Sequence, residues 1–125
     1  MNNVEKMIQQ YLHAWNQNTA EAYGEEFAKV WHKDGIYIDP YFHLNSLDEL
    51  LKFAIDTLPM APSRRFDLIG KFDFHHNYVR YQWQSTVDGK TNVGDDYFEF
   101  NEDFKITKLI SFYKLPADHP ANKKD

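Results

Sequence analysis

The most diagnostic part of this sequence is residues 94–113, GDDYFEFNEDFKITKLISFY. Aromatic and β-branched residues alternate here with polar residues, on both sides of the turn-forming residues 101–103. Such alternation is typical of β-strands with one buried face. We therefore predict an antiparallel pair of strands over residues 91–100 and 105–113.

Two more strands are predicted immediately upstream, at residues 64–75 and 78–87. Asp88-Gly89 is a strong signal for a tight hairpin turn, and residues 75–77 form a second turn. Apolar residues recur at every second position of both segments, which gives each strand one apolar face. These positions are Phe66, Leu68, Phe72 and Phe74, followed by Val79, Tyr81, Trp83 and Val87.

The N-terminal half contains three amphipathic helices and one short strand, residues 35–40. Asn18 with Glu21, and Ser46 with Glu49, have the spacing of capping boxes that open the second and third helices. The apolar faces predicted for the first two helices are Met7, Ile8, Tyr11, Leu12 and Trp15, then Tyr23, Phe27, Val30 and Trp31. Helices on one face of an antiparallel sheet predict an α+β fold, with one domain over residues 1–115 and a polar tail over 116–125.

Composition excludes several classes of protein. The 125 residues carry a net charge of −5 without a basic cluster, so we expect no nucleic-acid partner. There is no cysteine, which removes disulfides and thiolate chemistry. We find no signal peptide and no apolar stretch of membrane-spanning length, so a cytoplasmic protein without a membrane partner is expected. Aromatic residues make up 17% of the chain, which favours a bulky core or a ring-lined cavity.

Asp96 is the most unusual acidic residue. The period of a strand puts it on the same face as Phe98 and Phe100, the predicted core face. A buried carboxylate must be hydrogen-bonded, protonated or directed at a cavity. The alternative is a bulge at Gly94 that turns Asp96 towards solvent.

Asp39 and Tyr11 are further candidates for a functional site. Asp39 ends the first strand on the face of Tyr37, although Asp before Pro is also a common turn residue that caps local amides. Tyr11 lies on the buried face of the first helix, where its hydroxyl group needs a polar partner.

No metal or cofactor site is expected. The adjacent His75 and His76 point to opposite sides of a strand, and no third ligand can be assigned to either. The chain also has no Gly-rich phosphate loop and no Gly-x-Ser-x-Gly turn.

Two segments resemble the NTF2-like superfamily, in particular its SnoaL-like and ketosteroid-isomerase-like members. They are residues 31–40, WHKDGIYIDP, and the hairpin 94–113, within a resemblance that extends from about residue 4 to 113. The resemblance implies a cone, with three N-terminal helices packed on a strongly curved, mostly antiparallel sheet. The sequence departs from the family in a longer linker and second helix, and in Phe104 where glycine is common.

The resemblance also implies roles for three residues. Ketosteroid isomerases use an aspartate base, with a tyrosine and a protonated aspartic acid as oxyanion donors. By position these match Asp39, Tyr11 and Asp96, respectively. Polyketide-cyclase relatives also use a pocket aspartate as acid/base, so the same residues do not select the substrate.

We therefore expect a small-molecule pocket protein that acts as a cofactor-free acid/base enzyme, transferring a proton on a small hydrophobic or aromatic carbonyl compound. The alternatives are a non-catalytic ligand-binding or dimerisation module, and a closed core in which both acids are satisfied. The residues expected to bind substrate are Trp15, Trp31, Tyr37, Trp83 and Phe98, with His43 near the pocket mouth.

The face of the sheet opposite the helices is expected to meet a second copy of the chain. Ile36 and Ile38 point outward on the first strand, with Ile106 and either Ile110 or Leu109 on the last. An exposed apolar face of this kind favours a homodimer through the sheet.

Overall fold

The structure, a computed structural model, describes residues 2–114, so the predicted tail lies outside the described residues. It confirms the predicted α+β class. The elements in chain order are α1 (Asn3–Trp15), α2 (Ala20–Ala28), β1 (Trp31–Ile38), β2 (His43–Leu44), α3 (Leu47–Thr57), a 3₁₀ turn (Leu58–Met60), β3 (Arg65–His75), β4 (Tyr78–Val87), β5 (Lys90–Phe100) and β6 (Ile106–Tyr113).

The strands form one curved, unclosed sheet in the order β2-β1-β6-β5-β4-β3. Strands β3 to β6 make the predicted antiparallel meander. Strand β1 pairs in parallel with β6 and antiparallel with the short β2. The predicted architecture of three helices on a curved, mostly antiparallel sheet is thereby confirmed.

Side-chain caps fix where the helices begin. Ser46 Oγ accepts from the Glu49 amide at 3.2 Å, as predicted for α3. The predicted cap of α2 is wrong by one residue, because Thr19 Oγ1 accepts from the Ala22 amide at 3.1 Å. Within residues 2–114, no helix is long and apolar enough to cross a membrane.

The second helix is also shorter than predicted. It ends at Ala28, and Trp31 is the first residue of β1, opposite Ile106 of β6. The Ile106 amide donates to the Val30 carbonyl at 2.7 Å, so the β-formers Val30 and Trp31 continue into the sheet instead of the helix. Both side chains are nevertheless buried, as predicted.

Ile106, expected on the outer face of the sheet, lies in the core instead, and so does Leu109, one of the two alternatives given with Ile110. Ile106 and Leu109 are both fully buried. They share the inner face although they are three residues apart, because the β5–β6 register shifts between Glu99 and Phe100. Of the residues predicted to point outward, Ile36, Ile38 and Ile110 are half-buried.

A bulge also interrupts the alternation predicted for β3. The β3–β4 register shifts between Ile69 and Asp73, and Gly70 there has a positive φ of 67°. Phe66 is half-buried against the core, whereas Phe74 beyond the bulge is exposed. Strand β3 therefore packs on the core through Phe66, Leu68 and Phe72 but not through Phe74.

Candidate functional site

A cavity of about 260 Å³ lies between the helices and the inner face of the sheet. Its walls are mainly aromatic, with two carboxyl groups and one guanidinium group among them. Exposed Asn92 is part of the lining, so the cavity reaches the surface. The lining residues are Tyr11, Leu12, Trp15, Tyr37, Asp39, Phe53, Thr57, Arg64, Phe66, Trp83, Ser85, Asn92, Asp96, Ser111 and Tyr113.

Two different strands bring the predicted acids to the cavity. Asp96 on β5 lies opposite Tyr81 of β4 and Ser111 of β6. Asp39 directly follows Ile38, the last residue of β1, which lies opposite Ile110 of β6. Asp39, Asp96 and Ser111 all line the cavity.

Asp96 is buried, with 4% of its surface exposed. The Tyr81 hydroxyl donates to Oδ2 at 2.6 Å, and the Trp83 indole N–H donates to Oδ1 at 2.8 Å. Burial raises the pKa of Asp96 to about 6, against the opposing effect of hydrogen bonds from Tyr81, Ser111 and Trp83. Asp96 is therefore a carboxyl group that can gain or lose a proton near neutral pH.

The alternative of a bulge at Gly94 is wrong. The β4–β5 register runs without a shift from Tyr78 to Val87, with Trp83 opposite Gly94. A Cβ atom on Gly94 would lie 2.2 Å from the Trp83 ring. The absence of a side chain therefore allows the indole to lie across β5 and reach Asp96.

Asp39 is also buried, and its carboxyl group has two sets of partners. Its Oδ1 accepts from the amides of Tyr41 and Phe42, both at 2.8 Å, which is the turn-capping role that the sequence left open. Its Oδ2 accepts from the Tyr37 hydroxyl at 2.8 Å. The Tyr113 hydroxyl is a further partner. Asp39 thus caps a turn and lines the cavity.

Three buried tyrosines surround the acids. Burial raises the pKa of Tyr11, Tyr37 and Tyr81 well above the usual range, and the charge of Asp96 adds to the effect on each. These phenols stay protonated at neutral pH, and Tyr37 and Tyr81 donate hydrogen bonds to Asp39 and Asp96. Tyr11 is held in place by stacking on Trp31, with the ring centroids 5.8 Å apart.

Six of the nine predicted site residues meet at this cavity, and three do not. The six are Tyr11, Trp15, Tyr37, Asp39, Trp83 and Asp96. Trp31 is buried behind Tyr11 and donates to the Gly35 carbonyl at 3.2 Å. Phe98 is fully buried, and His43 is exposed in β2.

Arg64 is a cavity residue that the sequence did not single out. Its guanidinium group lies 5.4 Å from the centre of the Trp15 ring and donates to Thr57 Oγ1 at 2.6 Å. It also donates to the Tyr23 hydroxyl at 3.0 Å and the Ala54 carbonyl at 2.7 Å. Its position in the sequence could have identified it, because Arg64 is two residues before Phe66 and residues two apart in an extended segment share a face.

The hydrogen-bond partners of the acids were missed as well. Tyr81 was predicted on the apolar face of its strand but not assigned to the site, and Ser111 and Tyr113 share the same inner face with Asp96. Among residues 2–114, no group of three or more His, Asp and Glu side chains is arranged to hold a metal ion.

Comparison with known proteins yields matches among solved structures alone. No known protein family profile and no curated protein matches the sequence. A candidate isomerase of the SnoaL-like family from Agrobacterium tumefaciens is 25% identical with a TM-score of 0.84, over 92% of this chain and all of that one. A candidate ketosteroid isomerase from Kribbella flavida is 15% identical with a TM-score of 0.71, over 94% and 82%.

A candidate polyketide cyclase from Sinorhizobium meliloti has the same architecture. It is 12% identical with a TM-score of 0.69, and the match covers 89% of this chain and 99% of that one. The chain therefore has the NTF2-like fold, and its resemblance to the SnoaL-like branch of that superfamily is confirmed.

Proposed function

We propose that this protein is a cofactor-free acid/base enzyme that transfers a proton on a small hydrophobic carbonyl compound. The observation that carries the proposal is Asp96, a buried carboxyl group on a ring-lined cavity with a pKa of about 6. A catalytic acid or base works best when its pKa lies near the operating pH. Groups of this kind concentrate at functional sites.

The hydrogen bonds favour Asp96 over Asp39 as the proton carrier. A carboxylate has about four lone-pair sites. Asp39 accepts three hydrogen bonds, from the amides of Tyr41 and Phe42 and from the Tyr37 hydroxyl. Asp96 accepts two, from Tyr81 and Trp83, and so keeps more lone-pair capacity for a substrate. We therefore propose Asp96 as the base and Asp39 as the residue that positions the tyrosines.

The proposed reaction breaks a C–H bond next to the carbonyl group of the substrate. The proton passes to ionised Asp96, and the electron pair moves onto the carbonyl oxygen to give an enolate. The Tyr11 hydroxyl, buried beside Asp96, donates a hydrogen bond to that oxygen. Where the substrate has a β,γ double bond the enolate is a dienolate, and return of the proton from Asp96 to its γ-carbon completes an isomerisation. Where the substrate has a second carbonyl group, attack of the enolate carbon on it gives an alkoxide, and return of the proton from Asp96 to that alkoxide completes a cyclisation.

The size of the cavity limits the substrate. Pockets for drug-sized ligands have volumes of about 300–1,000 Å³, and this cavity has about 260 Å³. A compound with one ring, or a short branched chain, fits this space better than a four-ring steroid. Trp15 and Trp83 offer ring faces for stacking.

The proposal is tested by exchange of α-protons for deuterium in D₂O, followed by proton NMR on cyclohexanone and its ring-substituted derivatives. We expect catalysed exchange that falls by about 100-fold or more in Asp96→Asn. Asp95→Asn is the matched control, since Asp95 is the adjacent residue and points outward. Equal exchange rates in the two variants would contradict the role of Asp96.

The second candidate function is non-catalytic ligand binding. It is favoured by the hydrogen bonds that Asp39 already receives from its own chain, which hold that acid in place without a substrate. Ligands that raise the melting temperature without any catalysed exchange would support this alternative. A cytoplasmic location stays a prediction from the sequence.

A further inference from the structure

Arg64 is a half-buried cation on the cavity wall without an anionic partner. Its hydrogen bonds to Thr57, Tyr23 and Ala54 all go to uncharged oxygen atoms. Among residues 2–114, no carboxylate lies within ion-pair distance of the guanidinium group. Its Nε–H group is buried and has no hydrogen-bond partner there.

A charge in such a position is unfavourable unless it is paired. The three hydrogen bonds connect α2, α3 and the start of β3, so Arg64 braces this corner of the fold. These contacts hold the side chain in place but provide no negative charge. The unpaired charge on the cavity wall therefore needs a separate explanation.

The cation and the acids lie at different levels of the cavity. Phe66, two residues after Arg64, is opposite Ser85, and Ser85 is opposite Asn92. Asn92 precedes Asp96 by four residues on β5, a separation of about 13 Å along the strand. The backbone of Arg64 is therefore at the Asn92 end of the cavity, and Asp96 lies four residues further along β5.

We propose that the ligand of this cavity is a small monocarboxylate that also carries a carbonyl group. The carboxylate pairs with Arg64, and the carbonyl end lies against Asp96 and Tyr11. Trp15, which contacts the guanidinium group and lines the cavity, packs against the apolar body between them. Arginine is well suited to a carboxylate, because its N–H groups form charge-assisted hydrogen bonds. This inference rests on the proposed function and names its substrate class.

The test compares two probes that differ in charge alone, 4-oxocyclohexane-1-carboxylate and its carboxamide, by isothermal titration calorimetry on the full chain. We expect the wild-type protein to bind the carboxylate about tenfold more tightly or better. Because this comparison needs no variant, it holds even if substitution of Arg64 impairs folding.

Variants then assign the preference to Arg64. The ratio of the two affinities should fall to about one in Arg64→Gln and stay above one in Arg64→Lys, which keeps the charge. Arg65→Gln is the matched control, since Arg65 is exposed and pairs with Asp67, and its ratio should equal that of the wild type.

Any of three results would overturn the inference. They are equal affinity of the wild type for the two probes, no binding of the carboxylate at millimolar concentration, and an unchanged affinity ratio in folded Arg64→Gln. Measurement of α-proton exchange distinguishes failure of this inference from failure of the proposed function. Carboxylate preference without exchange would support the anion site and contradict the enzyme. Exchange without carboxylate preference would support the enzyme and contradict the anion site.

Discussion

The indole N–H of Trp83 donates to Asp96 Oδ1 across 2.8 Å, between neighbouring strands of the sheet. The two residues are not directly opposite each other, because Trp83 faces Gly94 and Asp96 faces Tyr81. The diagonal contact exists because Gly94 leaves room for the ring. One glycine thus controls how strongly the buried acid is hydrogen-bonded.

Burial of Asp96 should make Asp96→Asn more stabilising as the pH rises. The pKa is about 6 in the folded protein, against 3.8 for an unperturbed aspartate. Between these two pH values Asp96 is mainly protonated in the folded protein and mainly ionised in the unfolded chain, so unfolding releases a proton. The wild-type free energy of unfolding therefore falls as the pH rises through this window, and it stays lower above it. We expect the variant's free energy of unfolding, relative to wild type, to rise by about 2 kcal/mol from about pH 4 to about pH 7.5.

Urea denaturation at the two pH values measures this effect. Asp95→Asn is the matched control, since Asp95 is the adjacent residue on β5 and is exposed. A pH-independent difference for Asp96→Asn would show that its carboxyl group has no elevated pKa.

Removal of the Tyr81 hydroxyl should shift the pH dependence of activity upward. The Tyr81 hydrogen bond lowers the pKa of Asp96, so Tyr81→Phe raises that pKa above 6. We expect the rise of kcat/KM with pH to occur at higher pH in this variant. Tyr78→Phe, on the exposed face of the same strand, should leave the profile unchanged. Coincident profiles for Tyr81→Phe and wild type would argue against Asp96 as the base.

Gly94→Ala should destabilise the fold, whereas Gly24→Ala should stabilise it. The new Cβ at position 94 would overlap the Trp83 ring, which typically costs about 1–3 kcal/mol. At position 24, within α2, a new methyl group would have nothing within 4 Å. Alanine there should add about 0.5–1 kcal/mol, because glycine is a poor helix former. Thermal or urea denaturation measures the stability of both variants. Equal changes in stability for Gly94→Ala and Gly24→Ala would contradict the packing described around Trp83.

We propose that the chain forms a homodimer through the outer face of the sheet. Ile36, Ile38 and Ile110 are half-buried there, and Phe112 is 59% exposed on the same face. Size-exclusion chromatography with light scattering at micromolar concentration should give twice the monomer mass, and Phe112→Glu should shift it towards the monomer. Met60→Glu, at an 83% exposed residue after α3, is the control. A monomeric wild-type protein would remove the proposal.

The periodicity of apolar residues predicted the helices and strands well. It predicted less well which face of the sheet some residues occupy. The strand period found the inner face of β4 and β5, including Tyr81, Trp83 and Asp96, because these strands pair without a bulge. It failed for Ile106 and did not choose between Leu109 and Ile110, since the bulge in the β5–β6 pairing depends on main-chain hydrogen bonds that side-chain patterns do not encode.

The candidate site was predicted in part for a related reason. Periodicity assigns a residue to a face but not to a depth, so Phe98 was placed correctly on the inner face without lining the cavity. Arg64 was missed because a charged residue at the start of a strand is usually exposed. Its inward position depends on contacts with Tyr23, which is distant in sequence, and with Thr57, which lies on α3.

The protonation of Asp96 is the property on which the proposed chemistry depends. It is measured most directly by following the side-chain ¹³C carboxyl resonance of Asp96 with pH, assigned by its loss in Asp96→Asn. We predict a titration midpoint near 6. A midpoint at or below about 4, as for a solvated aspartate, would contradict the proposed role of this residue.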